Sequence, residues 1–437
     1  MSRPCPALAL AAAGSPYTLR RLAAALAVIA AAACADSPAG PPDGISLEIT
    51  AGNAQLAPAG AAVAIDPAVR VTDGAGQPRR DVSVTFEVVA GGGWTYTPAV
   101  KTDLNGRASA WWLLGPDPAA PQRLRASAAG QVVEFTAIPI IPPAASFQTG
   151  RNAYIEYLAG NLPVIITAPH GGSLRPTEIP DRTVGTTARD TNTEELVRTL
   201  RQAFLDRTGG YPHLVINRLH RIKLDANREI VEAAQGDANA ERAWFEFHAF
   251  IETAKLAAAD AGLDDAALYL DLHGHGHPIP RIEIGYLLGS ADLALPDAAL
   301  GQSAVIARSS IRALAQNSGP RFIELIRGAT SLGGMLELSG YPAVPSATQA
   351  SPGNDPYFTG GYNTERHGSR DGGTVNGVQL ELNFDGIRDT EADREQFADS
   401  LAAVVDRYFQ QHMGGALRPP PAAAHVHRRP PRAAVPR

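Results

Sequence analysis

The chain has 437 residues, 45% hydrophobic and 19% charged, with a formal net charge of -6. That length suits two folded units with appendages rather than one average domain. An acidic balance, with no basic helix and no interleaving of aromatic and basic residues, excludes nucleic acid as an expected partner.

Residues 1–34 read as a signal peptide. Arg20 and Arg21 precede an apolar run, Leu22 to Ala33, that is too short to cross a bilayer as a mature helix. It ends Ala31-Ala32-Ala33-Cys34, which resembles a bacterial lipobox, so Cys34 is the expected lipidation site and the membrane anchor. The alternative is an ordinary secretory signal cleaved at a nearby Ala-x-Ala site. Either way the protein is expected outside the cytoplasm, as an outer-membrane-anchored lipoprotein or at the cell surface or in the periplasm. Cys5 would leave with the signal, so the processed chain has no disulfide, no thiolate zinc site and no cysteine nucleophile.

Residues 35–44 form a Pro/Gly-rich tether. Over 45–138 the pattern becomes short alternating strands with turn signals: Val82, Val84, Phe86 and Val88 alternate with polar residues, and Asn105-Gly106 marks a turn. Leu124 to Ala128 and Val132 to Ala137 predict a closing hairpin. Roughly seven such strands predict an immunoglobulin-like sandwich lacking its disulfide. For Trp111-Trp112 the expectation is one core and one surface ring. The stretches Val69 to Pro78, Val82 to Phe86, Gly91 to Gly93 and Thr102 to Ser109 resemble the bacterial Ig-like repeats of invasin-type surface proteins, which act as spacers or adhesive units.

Residues 139–145 read as a Pro-rich linker. From 146 to 413 apolar strands alternate with amphipathic helices, predicted over Thr193 to Asp206, Glu241 to Ala259 and Thr390 to Phe409. That alternation predicts an α/β domain with a mainly parallel or mixed sheet flanked by helices. The tail, 414–437, is Pro, Ala and Arg in its second half and is expected to be disordered, so its His425 and His427 are not recruited to a site.

Three strand ends of this domain run straight into a His or a carboxylate: Ala168-Pro169-His170-Gly171-Gly172, Asp271-Leu272-His273-Gly274-His275, and Gln379-Leu380-Glu381. In an open α/β sheet ligands bind beyond the carboxyl ends of the strands. Two His and a Glu brought there predict a metal site with a general base beside it. Asp271 lies on the same side of its strand as His273 and is suited to orient a metal-bound imidazole. His275 is kept as a supporting or substrate-contacting residue. Catalytic zinc takes a third protein ligand, for which Asp190 ranks ahead of Glu194, although either suits the start of a helix. Arg221, Asp225, Asn227 and Arg228 form a cluster in which Arg and Asn can clamp a carboxylate and Asp225 can hold an Arg. The plain alternatives are a capped loop histidine, a salt-linked strand-end histidine, a structural Glu paired to an Arg, and a surface ion-pair cluster.

Pro169-His170-Gly171-Gly172, Arg221…Asp225-x-Asn227-Arg228, Asp271-x-His273, Pro356 to Tyr362 and Gln379-Leu380-Glu381, in that order, resemble N-formylglutamate amidohydrolases. They are similar, more distantly, to zinc carboxypeptidases and aspartoacylases. The resemblance implies a carboxypeptidase-like fold and a zinc-dependent hydrolase with His170 and His273 as ligands and Glu381 as base. It also implies substrate binding by Asn227 and Arg228. Arg221, Arg281, Arg366 and Tyr362 are further candidate substrate contacts on the reading of the residues themselves. Two departures stand out. Ser173 occupies the place of the acidic ligand three residues after the first His, and export does not suit cytoplasmic histidine breakdown. The expected substrate is therefore an N-acylated acidic amino acid or a small carboxylate-bearing peptide. The alternatives are a non-catalytic surface adhesin and a cell-wall peptidase or amidase of the same fold.

Overall fold

The computed structural model describes residues 44–96, 99–262, 266–317 and 322–420. The signal over 1–34 with Cys34, the tether up to residue 43 and the tail from 421 lie outside the described residues.

The N-terminal unit is built from β1 (Ser46–Ala51), β2 (Gln55–Pro58), β3 (Ala68–Thr72), β4 (Ser83–Ala90), β5 (Trp94–Tyr96), β6 (Ala99–Lys101), β7 (Arg107–Ser109), β8 (Trp111–Leu113), β9 (Gln122–Ala128) and β10 (Gln131–Ile140). They pair as β1-β3-β7, as β2-β10-β9-β4-β6 and as β5-β8. On β4 the buried Val84 and Phe86 alternate with exposed Ser83, Thr85 and Glu87, the period that puts one face on a core. That core gathers Val69, Val71, Val84, Phe86, Trp112, Leu124 and Phe135. The predicted hairpin is β9–β10, turned at Ala129 and Gly130, both with positive φ (46° and 83°), the twist a two-residue hairpin loop needs. This is an Ig-like β-sandwich of more, shorter strands than expected.

Two expectations are corrected here. Trp111 and Trp112 are both buried, at 3% and 0% exposure, because Trp111 packs edge-on against Trp94, 5.6 Å between ring centroids. Pro139 and Ile140 belong to β10 rather than to the linker, paired in parallel with Ala57 and Pro58. Pro139 is tolerated there because it lies past the last β9 pair, Ala137↔Gln122, where β10 has a strand partner on one side only.

The second unit is a mixed sheet of eight strands in the order β11-β12-β14-β13-β15-β18-β16-β17. They are β11 (Phe147–Thr149), β12 (Ile155–Leu158), β13 (Val164–Ala168), β14 (His213–Asn217), β15 (Ala267–Gly274), β16 (Ile282–Gly285), β17 (Ala343–Val344) and β18 (Val375–Leu382). The central four, β14-β13-β15-β18, are parallel. Their continuous apolar runs follow from this, since helices cover both faces: every residue of β13 is buried. On one face Val164, Ile166, Leu268 and Leu270 meet Leu196, Leu200 and Phe204 of α1 (Thr193–Thr208) and Phe397, Leu401 and Val405 from the C-terminal helix (Glu391–His412). On the other, Ile165, Val215 and Tyr269 meet Phe247, Phe250 and Ile251 of α2 (Ala238–Ala261). α2 starts where Asp237 accepts hydrogen bonds from the Asn239 and Ala240 amides. Among the described residues no helix is long and apolar enough to cross a membrane.

Candidate metal centre

The parallel register places three chemical groups side by side. His273 at the end of β15 lies opposite Glu381 on β18, and Glu381 lies opposite Glu283 on β16. His170 follows β13 by two residues, and its carbonyl accepts the Asp190 amide at 3.1 Å, drawing the residue just before α1 into the same crevice. The Gly171-Gly172 pair is required by the chain itself. A Cβ at Gly171 would stand 2.4 Å from the Glu194 nitrogen, and one at Gly172 2.2 Å from the Arg218 carbonyl carbon. These glycines let the chain leaving β13 pass against the start of α1 and the end of β14.

His170, Asp190 and His273 come together in a buried triangle. Nδ1 of His170 is 3.1 Å from Nδ1 of His273, and Oδ2 of Asp190 is 3.3 and 3.2 Å from them. Tetrahedral zinc with bonds of about 2.0–2.1 Å sets its ligand atoms about 3.3–3.4 Å apart, so the triangle already has nearly the edge length of such a site. The far nitrogen of each ring is held by a carboxylate: His170 Nε2 donates to Asp225 Oδ1 (2.6 Å) and His273 Nε2 to Asp271 Oδ2 (2.9 Å). Those bonds fix the tautomers so that both Nδ1 lone pairs point at each other and at a carboxylate oxygen. Three acceptors facing inward repel unless a cation or a proton lies between them.

The electrostatics express the same demand. Burial disfavours the charged form of His273, yet Asp271 and Asp190 outweigh it and hold its pKa well above the usual histidine value. Burial would raise Asp190, but His170 and His273 hold it well below the usual carboxylate range. Asp225 and Asp271 are likewise buried and likewise lowered, by His170 and by His273 respectively. The donor set of two imidazoles and one carboxylate, with the orienting carboxylates behind it, fits a zinc ion and leaves a fourth position open.

Glu381 behaves differently. Burial, reinforced by Asp190 and Glu283 and opposed by His273, raises its pKa to about 7. Its Oε1 accepts only the Gln379 side-chain amide, at 2.9 Å, among the hydrogen bonds found for it.

The remaining predicted residues divide. Arg221 joins the centre, its Nε donating to Asp225 Oδ2 at 2.9 Å and its Nη1 3.6 Å from Asp190 Oδ1. Asn227 is buried beside His273 (Nδ2 to Nε2, 3.3 Å) and its Oδ1 accepts the Asn363 amide at 2.8 Å. Arg228 is partly exposed and paired with Glu232 at 3.1 Å. Tyr362 opens α3 (Tyr362–His367), and its hydroxyl accepts from Arg366 at 2.8 Å. Of the two acidic candidates, Asp190 enters the triangle while Glu194 pairs with Arg198. Ser173 is exposed.

Two expectations fail in placement. His275 does not support the triangle: its Nε2 donates to the Arg281 carbonyl (2.8 Å) and its Nδ1 accepts the His277 amide (3.1 Å). Arg281 is not offered to a substrate. It is 2% exposed and its guanidinium donates to Asp355 and to the Pro356 carbonyl, both at 3.3 Å, anchoring the 355–362 loop. Both residues lie beyond β15, where the chain bends toward β16, and strand alternation does not extend through that bend.

Sequence reasoning missed Arg388 and Asn363. Arg388, 3% exposed, donates to the Thr191 and Asn383 carbonyls, and a Cβ at Gly274 would fall 2.3 Å from its Cζ. It ties the Asp190 loop to the exit of the Glu381 strand. Asn363 reaches Asp271 Oδ1 at 3.4 Å. Arg388 had only its position seven residues after Glu381 to signal it, and Asn363 its adjacency to Tyr362.

No family model matches the chain, and no curated protein matches it. Among solved structures it is similar to the D00-D0 domain of intimin, at 17% identity over 23% of this chain and 48% of that one, TM-score 0.19. It is also similar to a C-terminal 282-residue fragment of intimin in complex with the intimin-binding domain of the translocated intimin receptor, at 22% identity, 33% and 40% coverage, TM-score 0.18. A third is the Yersinia pseudotuberculosis adhesin InvE, at 17% identity, 28% and 41% coverage, TM-score 0.20. The chain spans less than half the length of each of these chains. Likenesses this slight bear no weight, and the Ig-like sandwich rests on its own strand pairing.

Proposed function

We propose that this protein is a metal-dependent, zinc-preferring hydrolase of amide bonds. Its substrate class would be N-acylated acidic amino acids or small carboxylate-bearing peptides, handled by an N-formylglutamate amidohydrolase-like domain of carboxypeptidase-like fold. The observation that carries the reading is the triangle of His170 Nδ1, His273 Nδ1 and Asp190 Oδ2, with edges of 3.1 to 3.3 Å and with Asp225 and Asp271 behind it. Zinc held there would supply Lewis acidity, polarising an amide carbonyl and acidifying a water at neutral pH. Glu381, its pKa raised by burial to about 7, takes the proton of the attacking water and delivers it to the leaving nitrogen. Arg221, beside Asp190 and Asp225, stabilises the negative charge that develops on the carbonyl oxygen. Arg228, together with Tyr362 and Arg366, fixes the substrate carboxylate and so sets the reaction geometry. The protein would work outside the cytoplasm, anchored by a lipid on Cys34.

The test is metal content of the full-length protein beside its His273→Ala variant. About one zinc per chain, lost in the variant, is the expected result. No bound metal, and none taken up after dialysis against zinc, would move the reading to a surface adhesin or binding protein. That second reading has the N-terminal sandwich in its favour. A cell-wall peptidase or amidase is separated by product analysis on peptides ending in acidic residues against N-acyl amino acids.

A further inference from the structure

The Ig-like sandwich is not hung on a free linker. Trp94 of β5 stacks on Phe245 of α2, with ring centroids 3.6 Å apart and planes 20° from parallel. Arg242 of the same helix lies over the Tyr96 ring, Cζ 4.9 Å from its centre, and Arg151 pairs with Asp66 at 2.7 Å. The backbones meet as well: a Cβ at Gly60 would stand 2.2 Å from Thr253 Oγ1 and 2.8 Å from the Ala249 carbonyl oxygen. Ala61 is buried within the apolar cluster of the α/β unit.

The helix that receives this contact also carries the next link. Phe245 packs edge-on against Trp244, 5.1 Å between centroids, and the Trp244 indole Nε1–H donates to the Arg228 carbonyl at 2.9 Å. On its other side the Trp244 ring faces Tyr362 (6.2 Å) and lies under Arg366, whose Cζ is 5.1 Å from the ring centre. One row of rings therefore leads from the sandwich to the two loops that carry Asn227, Arg228 and Tyr362. Residues 226–228 have no helix or strand pairing of their own, Tyr362 stands in the first turn of α3, and the Arg228 side chain is held by Glu232 and the Asn227 carbonyl.

We propose that Trp244 is a positioning residue for the substrate-carboxylate loops and that the Ig-like domain, docked through Trp94 on Phe245, is a fixed part of that support. The substrate half of this statement rests on the hydrolase reading; the docking half does not. A sandwich acting as a passive spacer would leave the Arg228 and Tyr362 loops indifferent to its contact face.

The experiment compares full-length wild type, Trp94→Ala and Trp244→Phe, the last keeping a ring but losing the indole donor. Backbone hydrogen exchange is read over residues 226–230 and 357–366, with β15 and β18 as the internal check of folding. Expected is about a 10-fold or greater acceleration in both loops for Trp94→Ala, and in 226–230 for Trp244→Phe, with the central strands unchanged. Exchange in both loops equal to wild type in both variants would overturn the proposal. With a hydrolysable N-acyl amino acid, KM rises about 10-fold while kcat stays within about 2-fold. Loops that loosen without any change in KM would leave the docking standing and overturn the substrate role. A wild type that neither binds metal nor hydrolyses anything would sink the enzyme reading alone, with exchange still deciding the docking.

Discussion

At the scale of single residues, the proposed metal centre depends on carboxylates that would not touch the metal themselves. Asp225 and Asp271 fix which nitrogen of His170 and His273 faces the crevice, and such partners tune affinity as well as orientation. Asp225→Asn and Asp271→Asn are each expected to weaken zinc binding by about 10- to 100-fold, read by competition with a chelating dye. Equal affinity in both variants would remove their orienting role. Glu381→Gln keeps the volume and loses the proton carrier. Metal content should be unchanged while turnover falls by about 10²- to 10⁴-fold; full activity would sink the base assignment. The strand-end pattern pointed to His170, His273, Asp271 and Glu381 because alternation and strand length are local properties. It did not reach Arg388, whose importance comes from a close approach to Gly274 more than a hundred positions away in the chain.

Among the elements, α2 has two duties. Its buried face, with Phe247, Phe250 and Ile251, covers the sheet, while Arg242, Phe245 and Gly60's neighbour Thr253 meet the sandwich. The apolar stripe was readable from spacing, but nothing in it told that a second domain would take the flank. Glu246 marks the junction. It is 1% exposed, and its Oε1 accepts the Arg151 amide at 2.8 Å. Burial, opposed by Arg151 and Arg242, raises its pKa from 4.5 to about 7. A folded-state pKa above the unfolded one means the stability is whole below about pH 4.5 and is lost as pH rises through about 7. Glu246→Gln removes that loss, so its advantage over wild type in denaturant unfolding should grow from near zero at low pH to at most roughly 3 kcal/mol above neutrality. A variant and wild type that stay parallel across this range would place the carboxylate in water instead.

Taken as a whole molecule, the sheet order does the assembling. β13, β15 and β18 are neighbours although about 210 residues separate their first and last members, and only this order brings His170, His273 and Glu381 to one crevice. The chain's destination belongs to this scale too. Replacing Cys34 by Ser should move the protein from the detergent phase to the aqueous phase on temperature-induced partitioning, because a lipidated Cys is the proposed anchor. Partitioning unaltered by the change would favour the ordinary secretory signal.

By itself the sequence determined what depends on neighbours along the chain: the alternating strands of the sandwich, the apolar runs of the buried sheet, the amphipathic helices and the residue types at three strand ends. Periodicity and turn chemistry act over a few residues, so they can be read without the fold. Only the tertiary structure decided that Asp190 rather than Glu194 completes the triangle, that His275 and Arg281 turn away to anchor a loop, that both Trp111 and Trp112 are buried, and that the sandwich docks on α2. Each of those outcomes is set by which distant backbone and which charge happen to face a side chain, and that is fixed only when the strands find their order.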